Sequence, residues 1–321
     1  MIEPANIPLF SFAPFLHGKP DTQKALAQDI FKAFSDVGFV YLKDYGIPAE
    51  EVEAMFDLTK RFFQLPMDLK KSWKIDSANA NQGYSPEGAE AGDGVDHKES
   101  YEHRRKQNDK CPTEEQMPGF KKAMDEFYGK CLTLCEQILC CLAMAIGLPG
   151  DFFQAMSENA DPQLRILHYP SIQRSIIEQD KHARIIPHTD FGFCTLLFQD
   201  SIGGLEVDSQ HDGVFHPAAP IPGTVLINIA DLLQRLSNDR LRSTIHRVVA
   251  PQASGDVLPA RYSIPFFYHP SPEATIDPIV MGEGEVKKYE PVNAGHYRYL
   301  SKLSTYPELR VFAEKAPEVG V

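Results

Sequence analysis

Two spacings of apolar residues divide the chain. Over residues 22–37, Leu26, Ile30, Phe31, Phe34 and Val37 recur at helical intervals, and Gly38 supplies a natural stop. Residues 7–12 and 39–42 are short apolar runs that predict strands on either side of that helix. Pro48 opens a second helix, with Glu50 and Glu51 in the first turn where the dipole favours acids, and the pattern stops near Gln64, before Pro66. Residues 117–148 predict a long helix, apolar at Phe120, Met124, Phe127, Leu134, Ile138, Leu142 and Ala145 and closed by Gly147 and Pro149. Residues 76–96 are polar and Gly-rich, a long loop of the kind that carries function or motion.

From Gln163 to about Tyr268 the period changes. Apolar runs at 164–169, 194–198, 204–207, 225–229, 244–249 and 261–268 are separated by breakers such as Asp200-Ser201, Gly203-Gly204, Asp212-Gly213 and Pro222-Gly223. Short strands at this spacing predict a sandwich or barrel. Residues 294–313 return to a helical pattern. Helices, then strands, then a helix predict a mainly β protein with flanking helices rather than a doubly wound α/β fold. No GxGxxG and no GxxxxGK[ST] occurs. The chain divides into an N-terminal helical region (1–160), a β core (161–270) and a C-terminal segment with a helix (271–321).

Composition narrows the partners. A chain of 321 residues is long enough for a sizeable core. Its 32 lysines and arginines against 44 acids give a net charge of −12, which argues against nucleic acid or an anionic membrane as partner. A small molecule in a locally basic pocket is compatible with it. The first residues show no secretory pattern. The longest apolar run, 138–148, has 11 residues, short of a bilayer span. A cytoplasmic protein with no membrane contact and no obligate protein partner is expected. Cys131, Cys135, Cys140 and Cys141 share one helix-like stretch, and one straight helix cannot wrap four ligands around a tetrahedral ion. Reduced, partly buried thiols are the expectation for all six cysteines.

Candidate chemistry centres on Ile186-Pro187-His188-Thr189-Asp190-Phe191. Residues two apart on a strand share a face, so His188 and Asp190 offer an imidazole and a carboxylate to one metal. After 55 intervening residues His246 supplies a second imidazole, in another strand-like run. Two imidazoles and a carboxylate leave three octahedral positions open, the facial triad of non-heme Fe(II) oxygenases. The pair alone is weak, since 11 histidines and 44 acids predict about 1.5 such pairs by chance. The chain holds two, the other being His97/Glu99. After a further 14 residues, Arg261 and Ser263 share a strand face, and a guanidinium fork beside a hydroxyl suits a carboxylate.

These residues resemble the 2-oxoglutarate/Fe(II)-dependent oxygenase superfamily, in its isopenicillin N synthase-like branch and nearest to microbial members. The family pattern of HxD, a distant His and RxS reads here as His188-x-Asp190, His246 and Arg261-x-Ser263. The blocks HTDFGFCTLLFQD (188–200), LSNDRLRSTIHRVV (236–249) and RYSIPFF (261–267) match, as do DVGFVY (36–41), NQGYSPEG (81–88) and KESYE (98–102). The resemblance implies a double-stranded β-helix, or jelly roll, with Fe(II) held by His188, Asp190 and His246. It implies 2-oxoglutarate and O2 as cosubstrates, with Arg261, Ser263 and Tyr169 on the distal carboxylate. The implied activity is oxidation of a small organic molecule by hydroxylation, desaturation, or ring formation or expansion, in secondary metabolism or, as in thymine hydroxylase-like members, on a nucleobase.

Leu167 stands where many plant members carry asparagine, and Ala230 replaces the glycine of the family's Asn-x-Gly-Asp turn, which requires a conformation that tolerates a Cβ. Tyr101, Ile185, Phe193 and Phe267 are candidate substrate-pocket residues. The basic run His103-Arg104-Arg105-Lys106 reads as a solvated patch, with a lid over an acidic substrate as the sharper alternative. Two further readings stay open: an isopenicillin N synthase-like oxidase that does not consume 2-oxoglutarate, since such enzymes keep the RxS pair, and a non-catalytic jelly-roll binding protein. Nucleophilic hydrolysis lacks a GxSxG.

Overall fold

An eight-stranded sheet organises the molecule. The computed structural model describes residues 3–75, 82–89, 97–106, 109–179, 184–250 and 255–305. Across this major sheet the strands run Leu9–Ser11, Phe39–Lys43, Val225–Ile229, Cys194–Gln199, Arg261–Tyr268, Gln163–Tyr169, Glu99–His103 and Gly83–Ser85. All neighbours are antiparallel except the first pair. A four-stranded minor sheet runs His216–Pro217, Leu205–Val207, His246–Val248 and Ile185–His188. The strands expected in the second half all form, and they are joined in an order far from their order in sequence.

The region before residue 160 contributes more β structure than its helical reading predicts. Four of the eight major-sheet strands come from it. Gly83–Ser85 lies inside the stretch read as a loop, and Glu99–His103 was not read as a strand at all. Both are buried along their whole length, so neither shows the alternation that marks a half-exposed strand. Of the remaining loop reading, 76–81 and 90–96 lie outside the described residues.

The expected helices form at Pro20–Asp36, Ala49–Phe63, Phe120–Ala145 and Ala294–Thr305. Residues 306–313 of the last prediction lie outside the described residues. Proline in the first turn starts the first of these helices, and Ala27, Ile30, Ala33 and Phe34 are its buried stripe. It ends at Gly38, whose φ of 77° and close approach to Thr244 exclude a side chain. Among the described residues Phe120–Ala145 is the one helix long and apolar enough by length and composition to cross a membrane. The 11-residue apolar run understated it, because a helix with few charges keeps a high mean hydropathy without being unbroken. Packing takes up its apolar stripe: Phe127 meets Phe198 and Tyr128 meets Phe266, both edge-on.

Strict pairing register assigns every major-sheet side chain to one of two faces. The outer face carries Val40, Leu42, Tyr84, Tyr101, Leu164, Ile166, Leu196, Phe198, Ile264 and Phe266 against the helices. The inner face carries Phe39, Tyr41, Leu167, Tyr169 and Leu226, which pack with Leu205, Val207 and Val248 of the minor sheet. The candidate chemistry lies between the two sheets.

Candidate active site

His246 and His188 stand directly opposite each other on neighbouring antiparallel strands of the minor sheet. Their rings lie 4.3 Å apart by centroid. Each turns Nδ1 toward the backbone carbonyl two residues before it: His188 to Ile186 at 2.9 Å, His246 to Thr244 at 3.1 Å. That contact selects the tautomer with Nδ1 protonated and leaves Nε2 as a free electron pair. Both Nε2 atoms point at one carboxylate oxygen, Asp190 Oδ1, from 3.9 Å and 4.0 Å. The HxD reading required a strand through Asp190. Instead the strand ends at His188, and the turn after it brings Asp190 inward.

Asp190 is buried, and its second oxygen is fully engaged. Thr195 Oγ1 donates to Oδ2 at 2.6 Å and Asn228 Nδ2 donates at 2.8 Å. Burial by itself would raise this carboxyl. The two imidazoles and these two hydrogen bonds outweigh burial and hold it below its usual value. Burial first, and then the neighbouring His246, push the His188 imidazole down to about 4. The arrangement therefore presents the neutral imidazole of His188, the Nε2 that the Nδ1 contact of His246 leaves facing inward, and one anionic oxygen, with ligand atoms within 4.8 Å of one another. Three such donors converging without an intervening proton fit a divalent cation, and two nitrogens with one oxygen fit Fe(II). Among the described residues no other group of three potential ligands converges. The second HxE pair is not a site, since Glu99 binds Lys70, Tyr84 and His168 on the outer face.

Local backbone explains how the turn holds Asp190. A Cβ on Gly192 would strike the Tyr268 carbonyl and the His269 ring, so the chain passes there only as glycine. Asp231 N–H donates to the Asp190 carbonyl at 2.8 Å. The Asp231 carboxylate accepts from Ser243, Thr189 and Tyr297, tying the helix Ala294–Thr305 to the same turn. Ala230 adopts extended angles, φ −114° and ψ 169°, so replacing the family glycine causes no strain.

The Arg261/Ser263 pair lies on the inner face, both residues 1% exposed. Arg261 Nη1 donates to Ser263 Oγ at 3.2 Å. Tyr169 is directly opposite Arg261, and the guanidinium sits 4.7 Å from its ring centroid. Leu167, opposite Ser263, fills the asparagine position with apolar packing. The three candidate cosubstrate residues are thus brought together, facing the same interior as the triad.

The four candidate pocket residues separate. Phe267 is on the inner face beside Thr195, the residue that holds Asp190. Ile185 packs against the inner cluster, on the strand that ends in His188. Tyr101 points the opposite way, wedged between Phe62 and Phe120 with its hydroxyl on the Lys110 carbonyl. Phe193 is fully buried against Phe153. Tyr101 and Phe193 are core residues, because register and packing turn them from the interior between the sheets. The basic run is also not a uniformly solvated patch. His103 and Arg104 are buried, with His103 on Asp125 and Arg104 on the Asp161 carbonyl and Gln163. Arg105 and Lys106 are exposed.

Sequence reasoning missed four side chains. Thr195 and Asn228 orient Asp190; Asn228 opens the Asn-x-Gly-Asp turn and Thr195 lies in the block at 188–200, but neither motif tells that the side chain reaches the carboxylate. Arg165 lies 5.7 Å over the Phe267 ring and pairs with Glu102 on the same face. Arg184 lies over the other candidate ring, Tyr169, at 5.8 Å.

Residues 7–126 match the family profile described as non-haem dioxygenase in morphine synthesis N-terminal, and residues 160–270 match the 2OG-Fe(II) oxygenase superfamily. A proline hydroxylase of Petromyces alliaceus, buaE, is 36% identical over 92% of this chain and 98% of its own length. The 2-oxoglutarate-dependent dioxygenase frbA of a Dothideomycetidae species is 35% identical over 94% of this chain and 97% of its own. A full-length Neurospora crassa protein crystallised with alpha-KG (2-oxoglutarate) and thymine superposes with a TM-score of 0.86 at 36% identity, covering 94% of this chain and 97% of that one.

Proposed function

The chain belongs to the 2OG-Fe(II) oxygenase superfamily and is a 2-oxoglutarate-dependent oxygenase, and from that premise we propose how its residues divide the work. His188, Asp190 and His246 hold Fe(II). Arg261 and Ser263 hold the distal carboxylate of 2-oxoglutarate, with Tyr169 forming the wall under the guanidinium. The two facing sheets form the double-stranded β-helix of the family, with residues 161–270 as the site-bearing core. When bound, the metal couples O2 and decarboxylation of 2-oxoglutarate to oxidation of the substrate. The chain's own contribution is orientation: Thr195 and Asn228 aim Asp190, and two backbone carbonyls aim the imidazoles.

The observation that carries this reading is the convergence of two Nε2 atoms and Oδ1 on one point, with every other polar atom of those three side chains already engaged. The substrate is a small organic molecule that enters beside Phe267 and Ile185. Relatives that include a proline hydroxylase and a protein crystallised with thymine support two classes, an amino-acid-derived metabolite and a nucleobase. Six free cysteines agree with a cytoplasmic location. The test is succinate release coupled to O2 uptake across both substrate classes, with Fe(II) and 2-oxoglutarate supplied. O2 uptake without succinate would replace this reading by the 2-oxoglutarate-independent oxidase.

A further inference from the structure

Two guanidinium groups share the ring of Tyr169. Arg261 lies 4.7 Å from its centroid and Arg184 lies 5.8 Å from it. Both arginines are 1% exposed. Arg184 sits just before the strand Ile185–His188 that carries the first imidazole. Its Nη2 donates to the carbonyls of Pro170 at 3.3 Å and Pro259 at 3.4 Å. Those carbonyls lie where the strand of Tyr169 ends and the strand of Arg261 begins, so Arg184 closes the end of the cradle.

The rest of its fork has no protein partner. Arg184 Nε and Nη1 are buried and unbonded, and so is Arg261 Nε. Asp200, the one carboxylate among the described residues that acts on Arg184, is engaged by the backbone N–H groups of Ile202 and Tyr262. A buried guanidinium with unsatisfied N–H groups is costly, and a second one beside it adds repulsion. Burial and Arg261 both work against the charge on Arg184. An anion placed between the two forks relieves all three penalties at once.

We propose that Arg184 is a second cosubstrate-binding residue, donating from Nε and Nη1 to the distal carboxylate of 2-oxoglutarate opposite Arg261 and Ser263. The inference rests on the assignment of Arg261 and Ser263 above. Its consequence is specificity: a cradle with two buried positive charges selects a dicarboxylic 2-oxo acid over one that lacks the distal carboxylate.

The test is anaerobic calorimetric titration of the Fe(II)-loaded protein with 2-oxoglutarate and with 2-oxovalerate, which keeps the chain length but lacks the distal carboxylate. Wild type should prefer 2-oxoglutarate. Arg184→Met should raise the Kd for 2-oxoglutarate about ten- to a hundredfold, the range for hydrogen bonds to a charged group, and leave the Kd for 2-oxovalerate unchanged. Arg184→Lys keeps the charge without the fork and should lose about tenfold for 2-oxoglutarate alone. It serves as the variant of record if the methionine variant does not fold. Equal weakening of both acids would show that Arg184 only supports the strand ends, and unchanged 2-oxoglutarate affinity would show that it faces no ligand. Either result overturns the proposal. Arg261→Met is measured alongside: if it too treats both acids alike, the cosubstrate assignment fails as well, and if it alone discriminates, only the role of Arg184 falls.

Discussion

The Glu99 cluster on the outer face of the major sheet and the row through Ser263 on its inner face bury polar groups in opposite ways. On the outer face Glu99 accepts from Lys70 at 2.7 Å and from Tyr84 at 2.5 Å, and its other oxygen meets His168 Nδ1 at 2.8 Å. Lys70 also donates to the Phe63 carbonyl and lies over the rings of Phe63 and Tyr84. That charge cluster is closed on itself and surrounded by aromatic packing. On the inner face of the same strands, Ser100 Oγ, Gln199 Oε1 and Arg261 Nε are buried with no protein partner. Ser100, Leu167, Ser263 and Gln199 form one row across four strands. A closed network stabilises the fold, and an open one is completed by something that binds. Burial alone does not separate these two clusters, but hydrogen-bond completion does.

The largest effect expected from breaking that contrast is on the open side. His246→Ala removes one of three ligand atoms. Outer partners of a metal ligand are worth about 10–100-fold in affinity, so loss of the ligand itself should exceed that. Fe(II) binding, followed anaerobically, should fall below detection, with succinate release lost and the melting temperature of the metal-free protein nearly unchanged. Retained iron affinity would remove His246 from the site. The closed side should respond in reverse. Glu99→Gln leaves Lys70 a buried cation without its counter-charge, and such losses cost about 3–5 kcal/mol. The melting temperature should drop by several degrees while iron affinity per folded molecule holds. A loss of iron binding without loss of stability would show that the two faces are not separate.

A smaller effect is expected at the second layer of the open side. Asn228→Ala and Thr195→Val each remove one donor to Asp190 Oδ2. Each should weaken Fe(II) binding by about 10–100-fold and leave folding largely intact. The double variant measures their coupling, because both donors act on one oxygen. Full iron affinity in both single variants would mean that Asp190 is aimed by the backbone alone.

The same contrast explains what could be read from sequence. The strands of the second half were legible because one side is apolar and the breakers between them are regular. Glu99-Ser100-Tyr101-Glu102-His103 was not, because the outer face takes Glu99, Tyr101 and His103 while the pocket takes Ser100 and Glu102. A strand lined with polar groups on both faces resembles a loop in composition. His188 and Asp190 were legible because they are two residues apart, and His246 because the resemblance supplied its spacing. Tyr101 was not placed, because without a strand reading nothing told which face takes it, and one residue along the strand decides that. Arg184 carries no local signal. Its meaning lies in Tyr169 and Arg261, which meet it only through pairing of distant strands.

The smallest effect separates the faces by pH. Burial would raise the Glu99 carboxyl, but His168, Lys70 and Tyr84 together hold it below 4.5. A folded value below the unfolded one means that ionised Glu99 favours the folded state. That contribution is complete above about pH 4.5, the ordinary range for this side chain, and is lost as pH falls through the lower folded value. Other carboxylates titrate there too, so the informative quantity is the gap in melting temperature between wild type and Glu99→Gln. The gap should be constant from pH 7 to about pH 5 and narrow on further acidification, since protonated Glu99 and glutamine are both neutral. The comparison should give the same curve with and without bound 2-oxoglutarate, because the closed cluster lies across the sheet from the cosubstrate cradle. A gap that stays constant down to the acid limit would mean that the Glu99 cluster contributes packing rather than charge. A gap that shifts with 2-oxoglutarate would mean that the sheet transmits charge from its open face to its closed one.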